Sequence, residues 1–161
     1  VFLTLEGGDA AGKTTQAIAL ERWLTGLGRT VVRTREPGGT PLGVEIRSLV
    51  LHGDHVSPRA EALLYAADRA HHVATVVRPA LERGEVVVQD RYLDSSIAYQ
   101  GVGRALDPED VRGLSTWATD GLLPDLTILL DLDPAVARGR RRGRAAEDRL
   151  EAEHDDFHER V

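Results

Sequence analysis

The stretch GGDAAGKTT, Gly7 to Thr15, limits what this chain can fold into more than any other. From Gly7 to Thr14 it fits G-x-x-x-x-G-K-S/T, a loop that needs a strand before it and a helix after it. Both are legible. Val1 to Leu5 (VFLTL) is a short apolar run ending at glycines, and Lys13 to Leu27 carries apolar residues at helical spacing up to Gly28. Glycines let backbone N–H groups turn inward around phosphate, and the helix N-terminus adds positive potential. Gly7, Gly8, Asp9, Ala10, Ala11, Gly12, Lys13, Thr14 and Thr15 are therefore the expected ATP-binding residues. Lys13 is expected on the β and γ phosphates and Thr14 as a Mg²⁺ ligand. Of 20 basic residues, Lys13 alone is a lysine. An exposed ion pair accepts either cation, but a point charge inside a backbone loop suits lysine, because the arginine fork is planar and bulkier. Asp9, an acid in the middle of an anion cradle, is the residue that the generic pattern leaves unexplained.

Beyond the loop, strand and helix signals alternate. Thr30 to Val32 is a strand candidate and Thr34 to Pro41 (TREPGGTP) a loop. Pro41 to Leu51 predicts a helix. Ser57 and Pro58 open a long one, as N-cap and first residue, running towards Arg83-Gly84. Glu85 to Gln89 (EVVVQ) is a buried strand leading into Asp90. Asp107-Pro108 starts a helix that ends near Gly121, Leu126 to Leu132 is a strand, and Asp133-Pro134 starts another helix. The alternation predicts an α/β, three-layer P-loop NTPase fold: a mostly parallel sheet with helices on both faces and ligands beyond the carboxyl ends of its strands. The 161 residues suit a single domain, 1–161. The net charge of -6 argues against nucleic acid as a partner. No apolar run approaches the length of about 18 residues that a membrane helix needs. There is no secretory signal and no Cys for a disulfide or a thiolate metal site. The chain opens without Met inside a strand and ends in mid-helix at Val161, so residues are expected to precede and follow it.

Asp90 ends a strand, where a carboxylate can reach Mg²⁺ or its water shell; Asp131 and Asp133 are rivals, Asp133 also fitting a helix N-cap. Arg91 follows Asp90, and Arg35 lies after the second strand at the same sheet edge. The pair suggests a second anionic ligand beside the nucleotide. Tyr65 and Arg69, four apart on one helix face, could stack on and bond a base. Ser95, Ser96, Tyr99 and Gln100 offer polar contacts to a base edge or sugar. The run Gly139 to Arg149 (GRRRGRAAEDR) carries five arginines, with glycines at 139 and 143, and fits a closing lid at about 139–150. The histidines show no metal spacing, and His71-His72 fits a helix surface pair.

In order along the chain, LEGGDAAGKTT, TREPGGT, EIRSLVL, ALLYAADRAHH, DRYLDSSIAYQG, LPDLTILLDLDP and EDRLEAEHDDFHERV resemble the bacterial thymidylate kinase family, P-loop nucleoside monophosphate kinases. The first stretch is generic; TREPGGT with DRYLDSSIAYQG is specific. The resemblance implies ATP and dTMP as substrates, Mg²⁺, dTDP as product on the way to dTTP, and a cytoplasmic homodimer. It implies that Lys13, Arg91, Arg149 and Arg35 are catalytic, with Arg35 and Arg91 on the dTMP phosphate. By the same resemblance Tyr65 stacks on thymine, Arg69 bonds O4, Ser96 and Gln100 lie at the base edge, Tyr99 crowds a ribose 2′-OH, and Arg47 lines the pocket. Asp9 corresponds to an acid that accepts a bond from the dTMP 3′-OH. Some members carry arginine where this chain has Ala10, with a plain lid. Others supply the arginine from the lid, the type this chain resembles, with Arg149 the best match and Arg138 or Arg140 towards adenine. A final strand and helix of the family have no counterpart before Val161.

Overall fold

The computed structural model describes residues 1–141 and 148–161. β1 (Phe2–Glu6) leads through the glycine loop into α1 (Lys13–Gly26) and β2 (Val31–Arg35). Then come α2 (Pro41–His52), α3 (Pro58–His72), a π-helical stretch (Val73–Val77) and α4 (Arg78–Glu82). β3 (Val86–Asp90) is followed by α5 (Leu93–Ser96), which continues as a π-helix through Ile97–Gly103. α6 (Pro108–Ala118), β4 (Leu126–Leu129), α7 (Pro134–Arg141) and α8 (Asp155–Arg160) complete the described chain. No described helix is long and apolar enough to cross a membrane.

The described strands are parallel, in the order β2-β3-β1-β4. Successive side chains of a strand point to opposite faces, and the core divides accordingly. Phe2 and Val87 pack on one face with Val73, Val77, Ala80 and Tyr92. Leu5, Val86 and Val88 pack on the other with Ala17 of α1. Helices therefore cover both faces, and β3, buried on both, reads as the unbroken apolar run VVV. Strand β4 lies at the edge and leaves Leu126 and Leu129 54% and 68% exposed. Leu5 and Arg35 both pair with Asp90, so the carboxyl ends of β1, β2 and β3 converge.

Several local expectations change. β2 extends through Thr34 and Arg35 because its ladder with β3 continues to Asp90, which shortens the expected TREPGGTP loop. Leu93–Gly103, which lacks a cap signal, is helical. β4 stops at Leu129 rather than Leu132. Pro58 opens α3, but the Ser57 side chain makes no capping bond. Asp133 does cap, its Oδ1 accepting from Ala135 N at 2.7 Å. His71 and His72 are not a surface pair. His72 is fully buried, with Nδ1 2.9 Å from Glu36 Oε1 and Nε2 2.6 Å from Thr34 Oγ1. Glu36 is buried too, and a buried carboxylate must collect donors. Part of the expected lid, 142–147 with Arg142 and Arg144, lies outside the described residues.

Candidate active site

The phosphate cradle follows from the end of β1. Gly7 has φ +135°, and a Cβ there would sit 2.5 Å from the Leu130 carbonyl oxygen, so only glycine fits. Lys13 is buried at the start of α1, and its Nζ donates to the Gly7 and Gly8 carbonyls at 2.9 and 2.8 Å. Burial, then the Arg91 charge, push its ammonium down to about 8. A cation held this way, in a half-formed ring of backbone groups, gains its missing partner when a phosphate arrives. Next to it, Thr14 Oγ1 donates to Asp90 Oδ2 at 2.7 Å, which places a hydroxyl and a carboxylate side by side.

Arg91 joins the cradle to a second cleft. Its backbone is left-handed, with φ +69°. That turn sends the side chain across to Gly7 O (3.2 Å), Ser95 Oγ (3.0 Å), Asp9 Oδ1 (2.5 Å) and the Tyr99 hydroxyl (3.2 Å). Its guanidinium also lies 4.9 Å from the Tyr99 ring centre. Tyr99 in turn donates to Asp9 Oδ2 at 2.9 Å. Burial alone would raise the Asp9 carboxyl, but the Arg91 and Lys13 charges outweigh it and hold Asp9 below the ordinary aspartate range. Asp9 lines two cavities. Glu6, also buried, fixes the Arg91 turn from below by accepting from Tyr92 N (2.7 Å) and Ser95 Oγ (2.5 Å).

The second cleft is lined by Asp9, Pro37, Arg47, Leu51, Tyr65, Arg69, Arg91, Ser96, Tyr99, Gln100 and Leu150, among others. Arg47 Nη1 donates to Pro37 O at 3.1 Å, and burial together with the Arg35 charge lowers the Arg47 guanidinium. Arg35 is exposed and lines a neighbouring cleft with Thr14 and Asp90. Neither Arg35 nor Arg47 forms an ion pair among the described residues, although Asp148 in the same cleft attracts Arg47, so this corner carries positive charge that an anion would neutralise. The deeper wall is aromatic and hydrogen-bonding. Tyr65 supplies an apolar face, and Arg69, 2% exposed, is held rigidly. Arg69 donates from Nε to Glu36 (2.8 Å), from Nη1 to Ser115 (2.9 Å), and from Nη2 to Tyr92 O (3.1 Å) and Ser96 Oγ (3.0 Å).

The structure thus gathers Asp9, Arg47, Tyr65, Arg69, Arg91, Ser96, Tyr99 and Gln100 around one cleft, with Arg35 at its mouth. Arg149, expected at the transferred phosphoryl group, is held elsewhere. It donates from Nε to Val50 O at 2.8 Å and from Nη2 to Glu61. A fully buried carboxylate is a stronger partner for it than an open loop. The described lid arginine that does reach the cradle is Arg140, whose Nη1 donates to Ala10 O at 3.2 Å. Sequence reasoning gave no role to Glu36, a buried carboxylate in the wall of the cleft, or to Glu61, buried behind it. Helical spacing could have found Glu61, since Glu61, Tyr65 and Arg69 share one face of α3.

A strand–loop–helix cradle beside a separate, cationic and aromatic acceptor cleft defines a P-loop kinase. The family model for thymidylate kinase matches residues 5–161. A thymidylate kinase from Leifsonia xyli is 73% identical over 164 residues, covering 100% of this chain and 78% of its own. One from Clavibacter sepedonicus is 68% identical, covering 100% and 77%. The crystal structure of thymidylate kinase from Ehrlichia chaffeensis superposes with a TM-score of 0.79 at 36% identity, covering 89% of this chain and 82% of that one. The chain belongs to the thymidylate kinase family.

Proposed function

We propose that the site transfers the γ-phosphoryl group of ATP to dTMP, giving ADP and dTDP. The observation that carries this reading is the Asp9–Arg91–Tyr99 contact, which sits between the phosphate cradle and the cleft lined by Tyr65 and Arg69. A dTMP phosphate oxygen attacks the γ phosphorus as the bond to the ADP oxygen breaks. The attacking oxygen is already anionic at neutral pH, so no general base is needed. The work of the protein is to hold two polyanions in line. Gly7 to Thr15 cradle the donor, Lys13 neutralises its phosphates, and Arg35 and Arg91 hold the acceptor phosphate. Tyr65 stacks on the base, while Arg69, Ser96 and Gln100 meet its edge. Arg47 closes the pocket, Asp9 accepts from the 3′-OH, and Tyr99 fills the space a 2′-OH would need.

No group of three or more acidic or histidine side chains among the described residues could cage a metal. The adjacent oxygens of Thr14 and Asp90 do suit a hard cation that keeps waters and nucleotide phosphates as its other ligands. Mg²⁺ there would neutralise charge on the donor phosphates. Arg149 remains the lid arginine that the family resemblance implies, and the contact of Arg140 with the loop at Ala10 supports a second. Residues 1–161 act as one kinase unit, with the lid at about 139–150. A homodimer is the assembly that the family resemblance implies. The decisive experiment couples ADP release to dTMP, dUMP and dCMP in turn. Turnover with dTMP above the other two is the expected result, and a chain that ignores dTMP is not this enzyme.

A further inference from the structure

Glu61 is fully buried behind the wall of the acceptor cleft. Its Oε1 accepts from Gln100 Nε2 at 2.9 Å and Arg104 Nε at 3.2 Å, and its Oε2 from Arg104 Nη2 at 3.2 Å and from Arg149. Burial on its own would raise the carboxyl. Hydrogen bonds from Arg104, Gln100 and Arg149 outweigh burial and hold the group below the ordinary glutamate range, so it carries no proton to donate.

A carboxylate accepts only, whereas a primary amide can present either end. Gln100 must therefore turn its NH₂ towards Glu61, which sends its carbonyl oxygen the other way. That oxygen has no protein partner among the described residues. It is also not among the buried atoms left without one, which are Asp68 Oδ2 and Gln89 Oε1. Gln100 lines the cleft, which is the open space that this oxygen can face. Arg69, which lines the same cleft and bonds Ser96 one helical turn from Gln100, commits four of its five N–H groups to Glu36, Ser115, Tyr92 and Ser96, leaving one on Nη1.

We infer that Glu61 is a positioning residue for base specificity: by fixing the Gln100 amide it sets an acceptor beside the Arg69 donor. That pair matches the N3–H and C4=O of thymine or uracil. Cytosine carries an acceptor at N3 and a donor at N4, so it meets like groups at both points. The inference rests on the cleft being the dTMP site.

The test measures kcat and KM for dTMP and dCMP with the wild type, E61Q, E61D and Q100L, alongside Tm. A glutamine at that position can accept or donate, which frees the Gln100 amide to reverse and meet the N3 of cytosine. The dTMP-to-dCMP ratio of kcat/KM should fall about tenfold in E61Q, mainly through KM. It should stay high in E61D, which keeps an acceptor-only partner, and fall similarly in Q100L. Unpairing Arg104 and Arg149 should lower Tm as well, but a purely structural Glu61 would lower Tm and kcat without moving the ratio. An E61Q enzyme that keeps the wild-type ratio overturns the inference. If E61Q does not fold, Q100L decides, and an unchanged ratio there overturns it too. A wild type with no preference for dTMP removes the underlying reading instead, and the same assay tells the two failures apart.

Discussion

The donor loop draws its phosphate-binding groups from nine consecutive residues, Gly7 to Thr15, while the acceptor cleft draws its walls from side chains scattered between Asp9 and Leu150. The first is mostly backbone held by geometry: a left-handed glycine, a helix start and a lysine bonded to two carbonyls. The second is side chain held by side chain, with Glu36 bracing Arg69 and Glu61 bracing Gln100. A loop of the first kind can lose its functional group and still fold. A wall of the second kind shares its functional groups with the core, so chemistry and stability fail together.

The largest effect that tests this contrast is Lys13→Ala. It should lower kcat about a thousandfold while dTMP affinity changes little and Tm stays level or rises, because burial already disfavours the Lys13 charge in the unliganded fold. Single-turnover kinetics, dTMP calorimetry and a melting curve read the three quantities. A steep fall in Tm would erase the contrast on the donor side. Arg69→Ala should do the opposite and cost stability as well as base selectivity. It leaves the buried Glu36 carboxylate with His72 as its remaining side-chain partner, an effect of about 3 kcal/mol in denaturant unfolding. An Arg69→Ala protein as stable as the parent would show that the acceptor wall is not core after all.

A third measurement concerns pH. Lys13 sits at about 8 in the fold against an ordinary 10.5, so between those values the unfolded chain binds more protons and the unliganded fold gains stability as pH rises. A bound phosphate reverses the balance by favouring the ammonium. ATP binding should therefore take up a proton, and affinity should fall by up to about tenfold per pH unit above 8. Calorimetry in buffers of different ionisation enthalpy detects the proton; ATP affinity that is flat from pH 7.5 to about 9.5 would contradict it. The smallest expected effect is Asp9→Ala. The preference for dTMP over its 3′-deoxy analogue should shrink about fivefold, the value of one hydrogen bond. An unchanged preference would place Asp9 on the donor side alone.

The same contrast explains what could be read from the sequence. The cradle is contiguous, so its residues, its strand and its helix were visible in one window. The sheet order's consequence, helices on both faces, was visible as well, because alternating apolar runs leave few other arrangements. Long-range demands were not. His72 reads as a surface residue until Glu36, distant in sequence, needs a donor in the core. Helical Leu93–Gly103 carries no cap signal and two late glycines; tertiary packing against α6 and α3 holds it. Arg149 belongs by motif to the lid, yet a buried acid on α3 claims it. Tyr65, Arg69 and Gln100 were legible as candidates, but the carboxylates that orient Arg69 and Gln100 were not, because nothing local marks an acid as buried.

Asp9 lines two cavities and bonds Arg91, which lines the acceptor cleft and reaches Gly7 O in the cradle. One ion pair thus connects the glycine loop to the cleft beside it. Charge that settles on one side is felt on the other through the same Arg91 guanidinium. Two ligands that both contact this ion pair are thermodynamically linked, and whatever factor the first changes in the affinity of the second, the second must change in the first.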